Sequence, residues 1–113
     1  MLFRALLFIM AFVFNLEVTA KEWLIDVRTA NEFNVEHVDG ASNIEYQQIV
    51  LGAQQLGIQK QDTVLLYCRS GRRAEIARES LRTEGYQHVE NLGSLQEAER
   101  LMQSSRIAVT GNR

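Results

Sequence analysis

The chain has no proline, a single cysteine (Cys68), and 12 Lys+Arg against 14 Asp+Glu in 113 residues. One cysteine cannot close an intramolecular disulfide and is too few for a thiolate zinc cluster, so Cys68 is either inert packing or reactive chemistry. A formal net charge of −2 leaves no basic footprint. Nucleic-acid or anionic-membrane binding by bulk electrostatics is thereby argued against, and any anion site must be local. The length excludes two domains. With 46% hydrophobic and 23% charged residues the composition is that of an average globular protein, which excludes disordered and collagen-like chains. There is no internal repeat, low-complexity stretch or linker.

Nor is there an apolar run long enough to span a bilayer, which takes roughly twenty residues. The longest, residues 5–14 (ALLFIMAFVF), is ten residues. It follows Arg4 and precedes Val18-Thr19-Ala20, the order of a basic n-region, an apolar h-region and small residues before a cut. An uncleaved short anchor or a buried first helix are the alternatives. The expectation is a signal peptide over residues 1–20 and a mature domain over 21–113. Cleavage after Ala20 removes Arg4 and Glu17, so the net charge stays at −2. The mature protein is expected to be exported, periplasmic in a Gram-negative source, with no stable membrane insertion and as a monomer or weak dimer. In an oxidising compartment, a free thiol without a disulfide partner points toward function.

From residue 21 onward strands and helices alternate. Residues 23–28 (WLIDVR) form an apolar-rich strand, and Thr29-Ala30-Asn31-Glu32 has the spacing of a capping box. Residues 40–46 read as a turn into a short strand. Ile49, Val50, Ala53 and Leu56 then recur at helical spacing, with Gly57-Ile58 as a glycine C-cap and its hydrophobic contact. Residues 63–68 (TVLLYC) are nearly continuous apolar and β-prone, the pattern of a strand buried on both faces at the centre of a parallel sheet. In the next helix Ala74, Ala77 and Leu81 make the apolar stripe, Arg78 and Arg82 face away, and Gly85-Tyr86 closes it. Residues 88–92 (HVENL) form a fourth strand. Ser94 to Glu97 repeats the capping-box spacing ahead of a helix carrying Leu95, Ala98, Leu101 and Met102. Ile107-Ala108-Val109 either adds an edge strand or simply packs. The βαβαβαβα order predicts an α/β fold: a central parallel sheet with right-handed crossovers, flanked by helices on both faces.

Chemistry concentrates at the end of the third strand. Open α/β sheets bind ligands beyond the carboxyl ends of their strands, and Cys68 stands there at the mouth of a helix. The following Arg69-Ser70-Gly71-Arg72-Arg73 has a glycine able to take backbone angles closed to other residues, so successive N–H groups can turn toward one point as an anion cradle. The helix N-terminus adds roughly half a positive charge. Three arginines lie within five residues of the thiol. Each of these favours the thiolate, so Cys68 is read as a nucleophile rather than a packed strand-end cysteine.

Asp26-Val27-Arg28, Glu32-Phe33, residues 36–44 (EHVDGASNI) and Cys68-Arg69-Ser70-Gly71-Arg72-Arg73 resemble, in order and spacing, the successive motifs of single-domain rhodaneses. The similarity runs from about Trp23 to about Leu101. A Gly-Tyr-x-His-Val-Glu-Asn segment (Gly85 to Asn91) and the leader point to the small exported phage-shock type. The resemblance implies a rhodanese-like fold and a sulfurtransferase without cofactor or metal. In that family the loop cysteine takes the outer sulfur of a small-molecule donor, thiosulfate, as a persulfide and passes it to a thiophilic acceptor such as cyanide or a thiol. Carried onto this sequence, Cys68 is the nucleophile. The Arg69–Arg73 amides hold the persulfide and the developing charge, and Arg69, Arg72 and Arg73 attract the dianionic donor. Arg73 closes the loop. Ser70 either hydrogen-bonds the sulfur or shapes the turn. Asp26, Arg28 and Glu32 are expected as a buried polar brace for the loop, and His37 as structural, because a preformed thiolate needs no base. His88 has no acidic or cysteine companion in spacing for a metal role. Glu45, where many relatives have proline, and Ser94, where a second glycine is frequent, depart from the pattern without touching the nucleophile.

Two other classes are weighed. A related phosphatase or arsenate reductase needs a longer loop, with arginine at the position of Ala74, and a resolving cysteine. A non-catalytic rhodanese-like module or persulfide carrier would bind a partner protein, yet inactive modules usually lack the loop cysteine that Cys68 supplies.

Overall fold

The computed structural model describes residues 19–110. The apolar run of the expected signal peptide lies outside the described residues. Four strands alternate with four helices: β1 (Glu22–Asp26), α1 (Ala30–Val35), β2 (Ser42–Asn43), α2 (Ile49–Leu56), β3 (Thr63–Cys68), α3 (Arg72–Thr83), β4 (His88–Ser94) and α4 (Leu95–Thr110). A 3-10 turn over Tyr46–Gln48 leads into α2. The strands form one sheet in the order β2-β1-β3-β4, every neighbouring pair parallel. β3 is interior, with Val64 to Cys68 all buried.

Because successive strand residues point to opposite faces, β3 serves two cores. Val64, Leu66 and Cys68 pack with Ile25, Val27, Ile49 and Ala53 of α2, and Ala74, Ala77 and Leu81 of α3. Leu65 and Tyr67 pack on the other side with Leu24, Val38, and Leu95 and Ala98 of α4. Helices thus cover both faces, as the alternation predicts. The caps form as their spacing dictates. Thr29 Oγ1 accepts from Glu32 N–H at 3.2 Å while Glu32 Oε1 accepts from Thr29 N–H at 3.1 Å. Gly57 takes φ +79° and Ile58 N–H returns to the Ala53 carbonyl at 3.0 Å.

Three expectations are corrected. Residues 107–109 are the last turn of α4, not an edge strand; Ser104-Ser105-Arg106 carries no breaker, and extending a helix is easier than starting a new element. Ile107 is exposed. Arg78 does not face away: it is half-buried, donating from Nε to the Val89 carbonyl at 3.2 Å and from Nη1 to Glu75 at 2.7 Å. Leu56 and Leu101, assigned to apolar stripes, are 43% and 39% exposed.

The pairing of β3 with β4 slips near the carboxyl end. Leu66 pairs with Asn91 but Cys68 pairs with Ser94, so β4 carries one extra residue opposite the strand that ends at Cys68. Such a bulge re-aims side chains and is common beside active sites. Gly93, at φ +90°, sits within it.

Candidate active site

Cys68 ends β3 with 1% of its surface exposed, and α3 starts four residues later at Arg72. The turn between them is made by Gly71 at φ +92°, ψ −11°. A side chain there would strain the backbone, so the positive φ is what calls for glycine, while a Cβ would meet the Gly93 Cα only at an ordinary contact distance of 3.4 Å. In this conformation the Gly71 N–H donates to Cys68 Sγ at 3.0 Å. No side chain caps α3. Its first amides have no intrahelical carbonyl to bond, which leaves donors and the positive end of the helix dipole facing the loop.

The five loop residues divide by environment. Arg69, Ser70 and Arg72 are exposed. The hydrogen bond to sulfur comes from the Gly71 amide. Arg73 turns toward α1, where its Nη1 and Nη2 donate to Glu32 Oε1 and Oε2 at 2.8 and 3.2 Å. Arg69 Nε lies 3.7 Å from the same carboxylate with its side chain 79% exposed. The Arg73 guanidinium, with the Thr29 amide and hydroxyl, holds the Glu32 carboxyl at a pKa of about 2. Arg73 is in turn held more firmly protonated by Glu32, with a smaller contribution from Cys68.

Of the three expected bracing residues, Glu32 alone reaches the loop. Asp26 and Arg28 are buried together, joined by Nη2–Oδ2 at 2.7 Å and Nε–Oδ1 at 3.0 Å. Arg28 also donates to the Glu36 carbonyl, and Asn43 Nδ2 donates to the carbonyls of Asp26 and Arg28. This pair locks the end of β1 to the chain after α1. Tyr67, next to Cys68, accepts the Val38 N–H at 3.0 Å, and burial pushes its phenol pKa up. His37 stacks on Phe33 at 3.8 Å with Nδ1 against the Phe33 carbonyl, a structural placement. Glu45, at the departure from proline, accepts the Ala30 N–H at 3.3 Å and so helps cap α1. Ala74 is fully buried in α3, so no guanidinium occupies the position a phosphatase loop would need. Among the described residues no three His, Cys, Asp or Glu side chains gather as a metal site.

Asn91 was not singled out by the sequence. From the bulged end of β4 its Nδ2 donates to the Gly71 carbonyl at 2.9 Å and to Glu75 Oε2 at 3.2 Å, while its Oδ1 accepts from Gly93 N–H at 2.9 Å. Gly93, which the structure places inside β4 just past the expected end of the strand at residue 92, was the available signal of a bulge. An open cleft of about 320 Å³ lined by Arg28, Asn31, Glu32, Val35, Glu36 and Arg69 borders the loop. Larger clefts, of about 500 and 420 Å³, involve α2 instead and contain neither Cys68 nor the loop arginines.

The model of the rhodanese-like domain family matches residues 14–100. The chain belongs to that family. This rhodanese-like domain is 41% identical over 96 residues to the thiosulfate sulfurtransferase PspE of Escherichia coli, covering 85% of this chain and 92% of that one. It is 38% identical over 72 residues to the protein YqhL of Bacillus subtilis, covering 64% of this chain and 56% of that one. Among solved structures, a rhodanese with anions from E. coli superposes with a TM-score of 0.62 at 42% identity, covering 67% of this chain and 89% of that one. The rhodanese-like domain of Alr3790 from Anabaena shares the fold, with a TM-score of 0.65 at 23% identity over 74% of this chain and 83% of that one.

Proposed function

We propose that this rhodanese-like domain is a thiosulfate sulfurtransferase working through a persulfide on Cys68. The observation that carries the reading is the Gly71 N–H on Cys68 Sγ at 3.0 Å, at a helix N-terminus without a side-chain cap. Likeness to the E. coli thiosulfate sulfurtransferase over 85% of the chain supports it.

The Cys68 thiolate attacks the outer sulfur of thiosulfate. A new S–S bond forms, the S–S bond of the donor breaks, and sulfite departs with the electron pair. Splitting the transfer in two is the gain of covalent catalysis. The Gly71 amide and the first amides of α3 stabilise the negative sulfur, and in a site so little exposed to water such fixed donors act at full strength. The exposed Arg69 and Arg72 draw in the dianion. Arg73, clamped by Glu32, sets the positive field beside the sulfur. Cyanide or a thiolate then attacks the outer persulfide sulfur, the bond to Sγ breaks, and the Cys68 thiolate is restored. No oxidant or reductant is consumed.

The leader reading stands as part of this proposal: residues 1–20 direct export and are removed, and residues 21–113 act outside the cytoplasm. Its support is the order of charge, apolar run and small residues, together with a first strand that starts at Glu22, just beyond the cut.

Intact-mass measurement on reduced protein incubated with thiosulfate tests the chemistry. Wild type should gain one sulfur, about 32 Da, which cyanide removes as thiocyanate, and Cys68→Ser should gain none. Wild type that stays unmodified would overturn the thiosulfate mechanism and bring forward the partner-binding module.

A further inference from the structure

We propose that Asn91 is a positioning residue for sulfur transfer: from the bulged end of β4 it fixes the Gly71 carbonyl and thereby aims the first amides of α3 at the reacting anion. The inference rests on the sulfurtransferase reading above.

Gly71 stands where a loop amide and a helix amide must both be aimed. Its N–H meets Cys68 Sγ, while its carbonyl starts the α3 ladder by accepting Glu75 N–H at 3.0 Å. Asn91 Nδ2 adds a second bond to that carbonyl at 2.9 Å. In a planar trans peptide the C=O of one residue and the N–H of the next point in opposite directions. Holding the Gly71 carbonyl toward β4 therefore turns the Arg72 N–H away from β4. At a glycine with φ +92° the chain has more freedom than anywhere else in the loop, so an external hold matters most here.

Asn91 cannot easily be rotated out of this role. Its amide nitrogen faces two acceptors, the Gly71 carbonyl and Glu75 Oε2, and its oxygen faces the Gly93 donor. A flipped amide would break all three. The network continues through Glu75 to Arg78 and on to the Val89 carbonyl, tying the first two turns of α3 to β4. The β4 bulge belongs to the same device. The register slip between Leu66↔Asn91 and Cys68↔Ser94 leaves Gly93 in the extra stretch of β4, beside Gly71, where it takes the Asn91 oxygen.

A positioning role predicts selective damage. Thiosulfate is an anion that needs the aimed amides, whereas iodoacetamide is neutral and, with both reactions run at an alkaline pH above the ordinary thiol range so that Cys68 is ionised in every variant, needs only the thiolate. Asn91→Ala and Asn91→Leu, neither adding charge and the latter keeping the branched shape, should slow persulfide formation by thiosulfate at least tenfold, in the range expected for misplaced donors. Alkylation of Cys68 by iodoacetamide should change less than about threefold, because Cys68 and its strand are untouched. Melting curves on the same samples establish that each variant is folded, and the folded variant decides. Equal slowing of both reactions, or none of either, would overturn the positioning role and leave Asn91 as a structural link. Wild type that takes up no sulfur would instead overturn the sulfurtransferase reading, so the two failures are distinguishable.

Discussion

At the scale of single residues, the site is organised by two groups distant in sequence from Cys68. Glu32 gathers Arg73 and approaches Arg69, and Asn91 holds Gly71. Glu32 gives the pH dependence a definite sign. Its carboxyl sits at about 2 in the fold against an ordinary 4.5, first because Arg73 donates to it. A depressed acid contributes stability that is complete above the unfolded value and is lost as pH falls through the folded one. Glu32→Gln should therefore melt below wild type near neutral pH. The gap between the two should narrow from about 4.5 downward and close near 2. Thermal melts of both proteins across that range check this, and a gap that does not change with pH would show that the charge of Glu32 is not what matters. Part of this was legible beforehand: the capping box placed Glu32 on the first turn of α1. Its reach to Arg73 was not, because a cap motif specifies local bonds only.

At the scale of elements, α2, α3 and α4 are each held by a stripe whose spacing was readable, and α3 is the helix that begins at the loop after Cys68. Ala74, Ala77 and Leu81 are fully buried against β3 and α2. Two of the three are alanines, which lets α3 pack closely on the sheet, and Leu81 is the largest side chain of the stripe. Leu81→Ala should cost about 2–5 kcal/mol through lost transfer energy and the cavity left behind. Urea titrations should show a lower midpoint at unchanged slope. Leu56 and Leu101 show the limit of periodicity. Both fit a helical stripe by spacing, yet both are only partly covered, and a repeat of 3.6 says which residues share a face but not where the partner layer ends.

At the scale of the whole molecule, the start of the described chain is clamped onto the sheet by one buried carboxylate. Asp62 accepts from Lys21 N–H at 3.0 Å, Trp23 Nε1 at 3.0 Å and Gln59 N–H at 2.8 Å, and the Thr63 amide answers the Lys21 carbonyl at 2.9 Å. These bonds, the Lys21 amide first, hold Asp62 below its ordinary 3.8. Its stabilisation is therefore present above that value and lost on acidification through the folded value. If the leader is cut after Ala20, the Lys21 nitrogen becomes an ammonium facing this carboxylate and a hydrogen bond becomes an ion pair. Asp62→Asn should lower the melting temperature of both forms, and by more in the chain that begins at Lys21. Paired melts of processed and unprocessed protein test this, and equal losses would show that the amine adds nothing.

The element order, the caps, the buried third strand and the cysteine at its end were determined by the sequence alone. Each depends on residues within a few positions of one another: an apolar period, a Thr-to-Glu spacing, a glycine after a strand. Only the tertiary structure decided that Arg73 would be answered by Glu32, 41 positions away, and Gly71 by Asn91, 20 positions away. It also decided that Asp26 and Arg28 would bond to each other and to the Glu36 carbonyl and not to the loop residues 69–73. Those pairings follow from the strand order β2-β1-β3-β4 and from the one-residue slip of β4 against β3. Order and register are set by how the whole set of elements buries its apolar faces together, and that balance is not written in any single local pattern.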